Sequence, residues 1–133
     1  GSFWMTKRDR TKRLLQTFEE KVEDDIQEIR DEGGLLPDSA AVELMRSLAK
    51  PIALQLGLAQ RLKWGTFVEE DGCISLVIQS LVTDRRVTFR VTADGNDCRI
   101  LQIDKHMNAF CPQGPATNPR LPKELAAWVT NRA

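Results

Sequence analysis

Near its N-terminus the chain carries hydrophobic residues at the spacing of an α-helix. They are separated by three, four, four and three positions, which places them in one narrow stripe along a helix. The stripe consists of Leu15, Phe18, Val22, Ile26 and Ile29. Nearly every other position from Lys7 to Glu32 is polar or charged, and Gly33-Gly34 is a typical helix stop. We predict a long amphipathic helix over residues 5–34.

A second helical region is predicted over residues 38–63. Asp38 and Ser39 are both good N-cap residues, and apolar positions follow them at helical spacing. Pro51 lies inside the region, and a proline removes one backbone hydrogen bond and clashes with the preceding turn. We therefore expect a kinked region in which two helices meet at Pro51.

From residue 66 to residue 104 the period of the hydrophobic pattern changes to two, which is the period of a β-strand. Four such runs are separated by short turns rich in Asp, Gly and Asn. Because consecutive strands joined by short turns pair side by side, we predict a four-stranded antiparallel β-meander. In the third run Arg86 and Arg90 face the side opposite Val87 and Phe89.

The remaining segments complete the predicted fold. Residues 105–120 contain several prolines and read as a long loop, and Pro122 suits the first turn of a last helix over residues 122–131. The fold class is α+β, with helices covering one face of the sheet. We expect one domain over residues 5–133, with residues 1–4 as a tag remnant.

Composition narrows the class of protein. The 133 residues are 41% hydrophobic and their formal net charge is zero, so no global field draws the chain onto nucleic acid. Three cysteines do not make a disulfide framework and favour a reducing, cytoplasmic or otherwise intracellular compartment. The apolar runs are too short to span a bilayer, so we expect no membrane partner.

Charge is distributed unevenly along the first predicted helix. A basic block precedes a run of eight acidic residues. The block consists of Lys7, Arg8, Arg10, Lys12 and Arg13. A helix dipole favours the opposite order, at a few tenths of a kcal/mol for each charge. Either this is a solvated face of an ordinary helix, or an antiparallel second helix sets its acids opposite the block. The narrow hydrophobic stripe favours a seam between helices.

Nucleic acid is the alternative partner. Five cations within seven positions can neutralise several phosphates, although the acids behind them would repel the same duplex. The predicted outward face of the sheet adds a second group of cations, which consists of Arg86, Arg90 and Arg99. That face carries no aromatic side chains on which single-stranded bases could stack.

Catalytic and metal-binding patterns are weak in this sequence. His106 is the only histidine, and the cysteines lack the short paired spacing of a zinc site. A thiol–imidazole pair of Cys111 with His106 has no evident third residue or oxyanion loop. We therefore expect no cofactor and no metal, and neither the carboxylates nor Gly33-Gly34 match a catalytic or phosphate-binding motif.

These observations favour a non-enzymatic protein–protein interaction or adaptor module. The partner would be a homodimer copy or another protein helix, bound along the stripe from Leu15 to Ile29 and oriented by the flanking charges. The alternative is a nucleic-acid-associated protein that contacts phosphates through the N-terminal block and the sheet arginines.

Overall fold

The computed structural model describes residues 6–34, 36–56, 61–112 and 116–131, which contain three helices and five strands. The tag assigned to residues 1–4 lies outside these ranges, as do the parts of the predicted elements at residues 57–60 and 113–115. The elements in chain order are α1 (Lys7–Asp31), α2 (Ser39–Leu56), β1 (Leu62–Val68), β2 (Ile74–Ser80), β3 (Arg86–Val91), β4 (Cys98–Ile103), β5 (Ala109–Phe110) and α3 (Leu121–Thr130).

The first helix forms as its pattern predicts. Thr6 is the N-cap, and its hydroxyl accepts a hydrogen bond from the backbone N–H of Asp9 at 3.1 Å. The chain leaves the helix at Gly33, whose φ of +78° suits a residue without a Cβ atom. One face of α1 is buried, beginning at Leu14 rather than at the neighbouring Leu15, which is half-buried.

Two predictions for the second helical region differ from the structure. It runs without interruption from Ser39 to Leu56, and Pro51 lies inside it with an exposed side chain. The buried neighbours Ile52 and Ala53 hold this part of the helix in the core, and packing offsets the hydrogen bond that proline removes. The predicted helix end at residue 63 is wrong, because β1 already begins at Leu62.

The sheet has the order β1-β2-β3-β4-β5, and each strand is antiparallel to the next. The prediction of four strands falls short by one: β5 lies inside the predicted loop of residues 105–120 and pairs only with the end of β4. The last helix begins at Leu121, one residue before its predicted start.

All three helices contribute to a core on one face of the sheet. Alternate residues of β2 and β3 point into it, as their period of two requires. The largest fully buried side chains are Phe18, Phe89, Met45, Ile52, Ile74, Leu76, Ile78, Leu125, Val22, Val87, Val91 and Val129. Helices cover one face of the sheet, as the fold class predicts.

A buried carboxylate joins α1 to the edge of the sheet. Asp25 is 9% exposed, and its Oδ2 accepts a hydrogen bond from the backbone N–H of Thr66 in β1 at 3.0 Å. Its Oδ1 binds the Nζ of Lys21 at 2.8 Å, and this hydrogen bond raises the pKa of Lys21 above its ordinary value. Because β1 is an edge strand, the backbone N–H of Thr66 could otherwise pair with a strand of another chain. Asp25 accepts its hydrogen bond instead.

We expect Asp25→Ala to lower the free energy of unfolding by about 1–3 kcal/mol, because it leaves the buried Thr66 N–H without an acceptor. Asp25→Asn keeps an acceptor oxygen and should lower the free energy of unfolding by less. The matched control is Asp24→Ala, since Asp24 is exposed and should change stability by less than about 0.5 kcal/mol. Urea unfolding followed by circular dichroism measures all three, and equal losses for Asp25→Ala and Asp24→Ala would contradict this role.

The start of α2 rests on the turn between β3 and β4. The backbone N–H of Asp38 donates to the carbonyl of Ala93 at 3.0 Å. Gly95 in the same turn has a φ of +77°, and a Cβ atom there would lie 2.9 Å from the backbone nitrogen of Ala41. Gly65 in β1 differs from Gly95 because a Cβ atom added there would have no other atom within 4 Å.

We expect Gly95→Ala to destabilise the fold by about 1–3 kcal/mol, through both the unfavourable φ and the close backbone contact. Gly65→Ala should be neutral or stabilise by up to about 1 kcal/mol, since it reduces the freedom of the unfolded chain. Thermal and urea unfolding of the two alanine variants gives the comparison. A Gly95→Ala protein as stable as Gly65→Ala would show that the turn yields to the new side chain.

Candidate functional site

Contacts between elements fix the direction of α1 across the sheet. The rings of Phe18 and Trp64 are 5.3 Å apart, and Asp25 reaches Thr66 further along both elements. The N-terminal turns of α1 therefore point toward the end of the sheet where β1 begins. The β2–β3 turn and the β4–β5 turn lie at that same end, because neighbouring strands are antiparallel.

The charges of the chain are segregated between the two ends of the sheet. In the described residues, the first turns of α1 (residues 7–13), the start of β1 (residues 61–63) and the turns at residues 81–86 and 104–107 together carry ten basic side chains and three acidic ones, and we call this the basic end. The basic side chains are Lys7, Arg8, Arg10, Lys12, Arg13, Arg61, Lys63, Arg85, Arg86 and Lys105. The acidic side chains are Asp9, Asp84 and Asp104. A net charge of zero therefore conceals a local cationic field.

The opposite end, which we call the acidic end, holds the later turns of α1 and the β1–β2 and β3–β4 turns. Two cations near this end, Arg90 and Arg46, are engaged by acidic side chains. Arg90 binds Glu69 at 2.7 Å and Asp71 at 2.5 Å. Backbone donation from Cys73, with further help from Arg90, lowers the pKa of Asp71. Arg46 of α2 forms ion pairs with Glu19 and Glu23 of α1.

The basic block of α1 has a different environment. All five of its cations are exposed, and none makes an ion pair with an acidic side chain in the described part of the chain. The first buried residue of the helix is Leu14, so the preceding turns extend about 10 Å beyond the packed region at 1.5 Å per residue. A partner can approach these turns from several sides.

The residues of the predicted partner seam differ in their burial. Phe18, Val22 and Ile26 are only 0%, 1% and 7% exposed, because they pack into the core against α2 and the sheet. A partner helix cannot reach them while the domain keeps this fold, so the prediction of a continuous apolar seam is corrected. Leu15 and Ile29 remain half-buried. The accessible side chains along α1 are mainly charged.

The predicted nucleic-acid residues are divided as well. Arg86 lies at the basic end, together with the block of α1. Arg90 and Arg99 face each other across β3 and β4 toward the acidic end, and Arg90 is held by carboxylates. The sheet arginines therefore do not form one surface with the N-terminal block.

A groove that no sequence pattern indicated lies at the basic end. It encloses about 680 Å³ between the β2–β3 turn and the β4–β5 turn. Its lining consists of Arg61, Leu81, Val82, Thr83, Asp84, Arg85, Asp104, Lys105, His106 and Asn131. These residues come from separate turns, and no spacing in the sequence connects them.

The β2–β3 turn is fixed to the end of α3. Thr83 Oγ1 donates to the carbonyl of Val129 at 2.7 Å. Arg85 Nη1 donates to the carbonyls of Trp128 and Asn131 at 2.8 and 2.9 Å, and its guanidinium lies 5.1 Å from the centre of the Trp128 ring. These contacts satisfy carbonyls at the C-terminus of a helix, where a cation is also favoured by the dipole.

The β4–β5 turn is fixed by Asp104. Its carboxylate accepts hydrogen bonds from the backbone N–H groups of His106 and Asn108, both at 2.9 Å, and from Asn108 Nδ2 at 3.1 Å. These donors, led by the Asn108 backbone, lower the pKa of Asp104. The turn that presents Lys105 and His106 is therefore held in one conformation by an ionised side chain.

The thiol and imidazole groups do not combine into one site. His106 lines the groove, whereas Cys111 lines a separate cavity of about 180 Å³ with Cys98. Burial raises the pKa of Cys98 to about 11, so its thiol stays protonated at neutral pH. Among the described residues no group of three or more metal-ligating side chains occurs. None of the helices described is long and apolar enough to cross a membrane.

We expect Arg85→Ala to lower the free energy of unfolding by about 1.5–3 kcal/mol, because two charged hydrogen bonds to α3 are lost. Arg86→Ala is the matched control, since its described polar contact is a weak one to the sulfur of Met107 at 3.6 Å. Chemical denaturation reports both values. Similar losses for the two variants would mean that Arg85 does not fasten the turn to α3.

Comparison with protein-family models, with curated proteins and with solved structures gives no match for this chain. What the site does must therefore be argued from its own geometry and charge. Two features at the basic end carry that argument: the cations of α1 that lack acidic partners, and the groove between the two anchored turns.

Proposed function

We propose that this chain is a non-enzymatic protein-interaction module that self-associates through the charged face of α1. The observation that carries the proposal is the unpaired basic block at one end of a helix whose exposed acids lie at the other. Lys21, Arg46 and Lys50 further along the helical layer all have acidic partners. The block has none in the described part of the chain, so its charges are free to meet acids of another molecule.

The order of charges along α1 favours a second copy as the partner. In an antiparallel pair, the basic residues around Arg8 and Lys12 of each copy lie at the same level along the helix axis as the acids around Asp24 and Glu28 of the other. Asp24 and Glu28 are exposed and form no ion pair with a described residue. The arrangement is symmetric, so each contact occurs twice and the pair closes as a dimer.

The expected strength of this association is modest. Exposed ion pairs contribute about 0.2–1 kcal/mol each and are screened by salt. Leu15 and Ile29 add little apolar area because they are half-buried within the domain. Self-association should therefore be weak, rapid and strongly dependent on ionic strength, with charge setting the orientation of the pair.

The helix dipole supports this proposal and also makes a clean test possible. Basic residues in the first turns of α1 and acidic residues in the last turns both oppose the dipole. Reversing the charges of Arg8 and Lys12 should therefore preserve the folded helix, whereas reversing Asp24 and Glu28 also removes two acids that attract Lys21. Circular dichroism of each variant separates loss of association from loss of helix.

We expect the wild-type chain to dimerise at 50 mM NaCl and to dissociate at 500 mM NaCl in sedimentation equilibrium over the micromolar to millimolar range. Arg8→Glu with Lys12→Glu should be monomeric, and so should Asp24→Lys with Glu28→Lys, whereas their mixture should associate again. The control Arg120→Glu with Lys123→Glu makes the same charge change at the start of α3 and should dimerise normally. A wild-type monomer at both salt concentrations, or a mixture that stays monomeric, would refute the proposal.

Nucleic acid remains a second candidate because the same five cations could contact phosphates. Duplex DNA binding should then weaken steeply with salt, with at most about five counterions released from the block. Fluorescence anisotropy with a labelled duplex distinguishes the candidates. Binding that is lost in Arg8→Glu with Lys12→Glu, from a chain that does not self-associate, would favour this second function.

A further inference from the structure

We propose that the groove between the β2–β3 and β4–β5 turns binds a small organic anion, a phosphate or carboxylate group carried on an apolar body. The site is separate from the charged face of α1 and does not depend on the proposed self-association. Its volume of about 680 Å³ lies within the range of ligand pockets in proteins, about 300–1,000 Å³.

One side of the groove is cationic. Lys105 and His106 are exposed at the corner of the β4–β5 turn, and Arg61 is exposed at the start of β1. The charged donors of Arg61 and Lys105 are of the kind that forms strong hydrogen bonds to carboxylate and phosphate groups.

Two acidic groups also line the groove. The Asp104 carboxylate accepts three hydrogen bonds within its own turn, and these offset part of its negative charge. Asp84 is exposed in the β2–β3 turn. The exposed side chains of Arg61 and Lys105 are therefore the groups of the lining that would bind an anion.

The other side of the groove is apolar. Leu81 and Val82 are 53% and 39% exposed, although they occupy a turn, where small polar residues usually predominate. Two adjacent exposed hydrophobic residues lining a cavity are a feature of binding surfaces. An anion with an apolar body would contact this wall and the cations at the same time.

The backbone supports the groove as a preformed site. Arg61, Asp84 and Met107 are the non-glycine residues with positive φ in the described chain, at 64°, 58° and 66°. The first two line the groove, and the third follows His106 directly. Such conformations cost roughly 1–2 kcal/mol each and persist where the surroundings enforce them, often at functional sites.

The first test is a titration with phenyl phosphate, inorganic phosphate and phenol, followed by the amide resonances of the ¹⁵N-labelled full chain. We expect saturable shifts from phenyl phosphate at residues 81–85 and 104–107. Inorganic phosphate should bind the same residues at least about threefold more weakly, and phenol should give no saturable shift. No saturable binding of phenyl phosphate up to 20 mM, or shifts centred on residues 7–13, would overturn the proposal.

Variants test the two walls separately. Arg61→Asn with Lys105→Gln should weaken phenyl phosphate about tenfold or more, and asparagine tolerates the positive φ at residue 61. Leu81→Ser should weaken phenyl phosphate without changing inorganic phosphate. Lys63→Gln removes a cation near Arg61 that does not line the groove and should bind normally. Equal affinities for Lys63→Gln and the double variant would overturn the cationic wall.

A last comparison separates this proposal from the proposed function. Arg8→Glu with Lys12→Glu should abolish self-association and leave phenyl phosphate binding intact. If the groove variants bind like the wild type while self-association responds as expected, only the groove assignment fails. If phenyl phosphate binds the groove in a chain that is monomeric at low salt, only the proposed self-association fails.

Discussion

The contact of Asp25 with the edge of β1 is the constraint on which the rest of the arrangement depends. One carboxylate accepts a backbone hydrogen bond from Thr66 and binds Lys21 on its own helix. Together with the contact between the Phe18 and Trp64 rings, it fixes both the position of α1 on the sheet and the direction in which the helix runs. An unpaired buried charge would be costly, and the partners on both oxygens explain how Asp25 is tolerated there.

That position determines how the hydrophobic stripe of α1 is used. With Asp25 against the sheet edge, Phe18, Val22 and Ile26 must point into the core, where they meet α2 and the inner face of the sheet. The apolar residues of the helix then serve folding, and the charged residues remain exposed. Under the proposed self-association, such a charged surface would give orientation and speed more than tight binding.

Local sequence patterns predicted the elements well where the pattern was long. The stripe of α1, the alternation of β2 and β3 and the turn at Gly95 all led to correct elements, because each reflects one dominant period or turn residue. The helix break predicted at Pro51 does not occur, because packing of Ile52 and Ala53 outweighs the effect of the proline on the helix. The strand β5 was missed because two residues carry no period, and its pairing with Gln102 and Ile103 is a tertiary contact.

The candidate site was harder to predict for a physical reason. The basic block of α1 is contiguous and could be read directly, but burial of the stripe beside it depends on the fold. The groove brings Arg61, Leu81 and Lys105 together from three separate turns. Their meeting follows from the antiparallel order of the strands, and the anchoring of those turns by Asp104 and Arg85 appears only when side-chain contacts are known.

The separation of charge between the two ends determines the electric field of the molecule at a distance. With no net charge, its far field is that of an electric dipole lying roughly along α1, which fades faster than that of a single charge and has a direction. An approaching charged surface would turn the molecule before touching it. A cationic column matrix would then meet the acidic end and an anionic matrix the basic end, so at neutral pH and low salt both kinds of ion exchanger should retain a chain whose charges sum to zero.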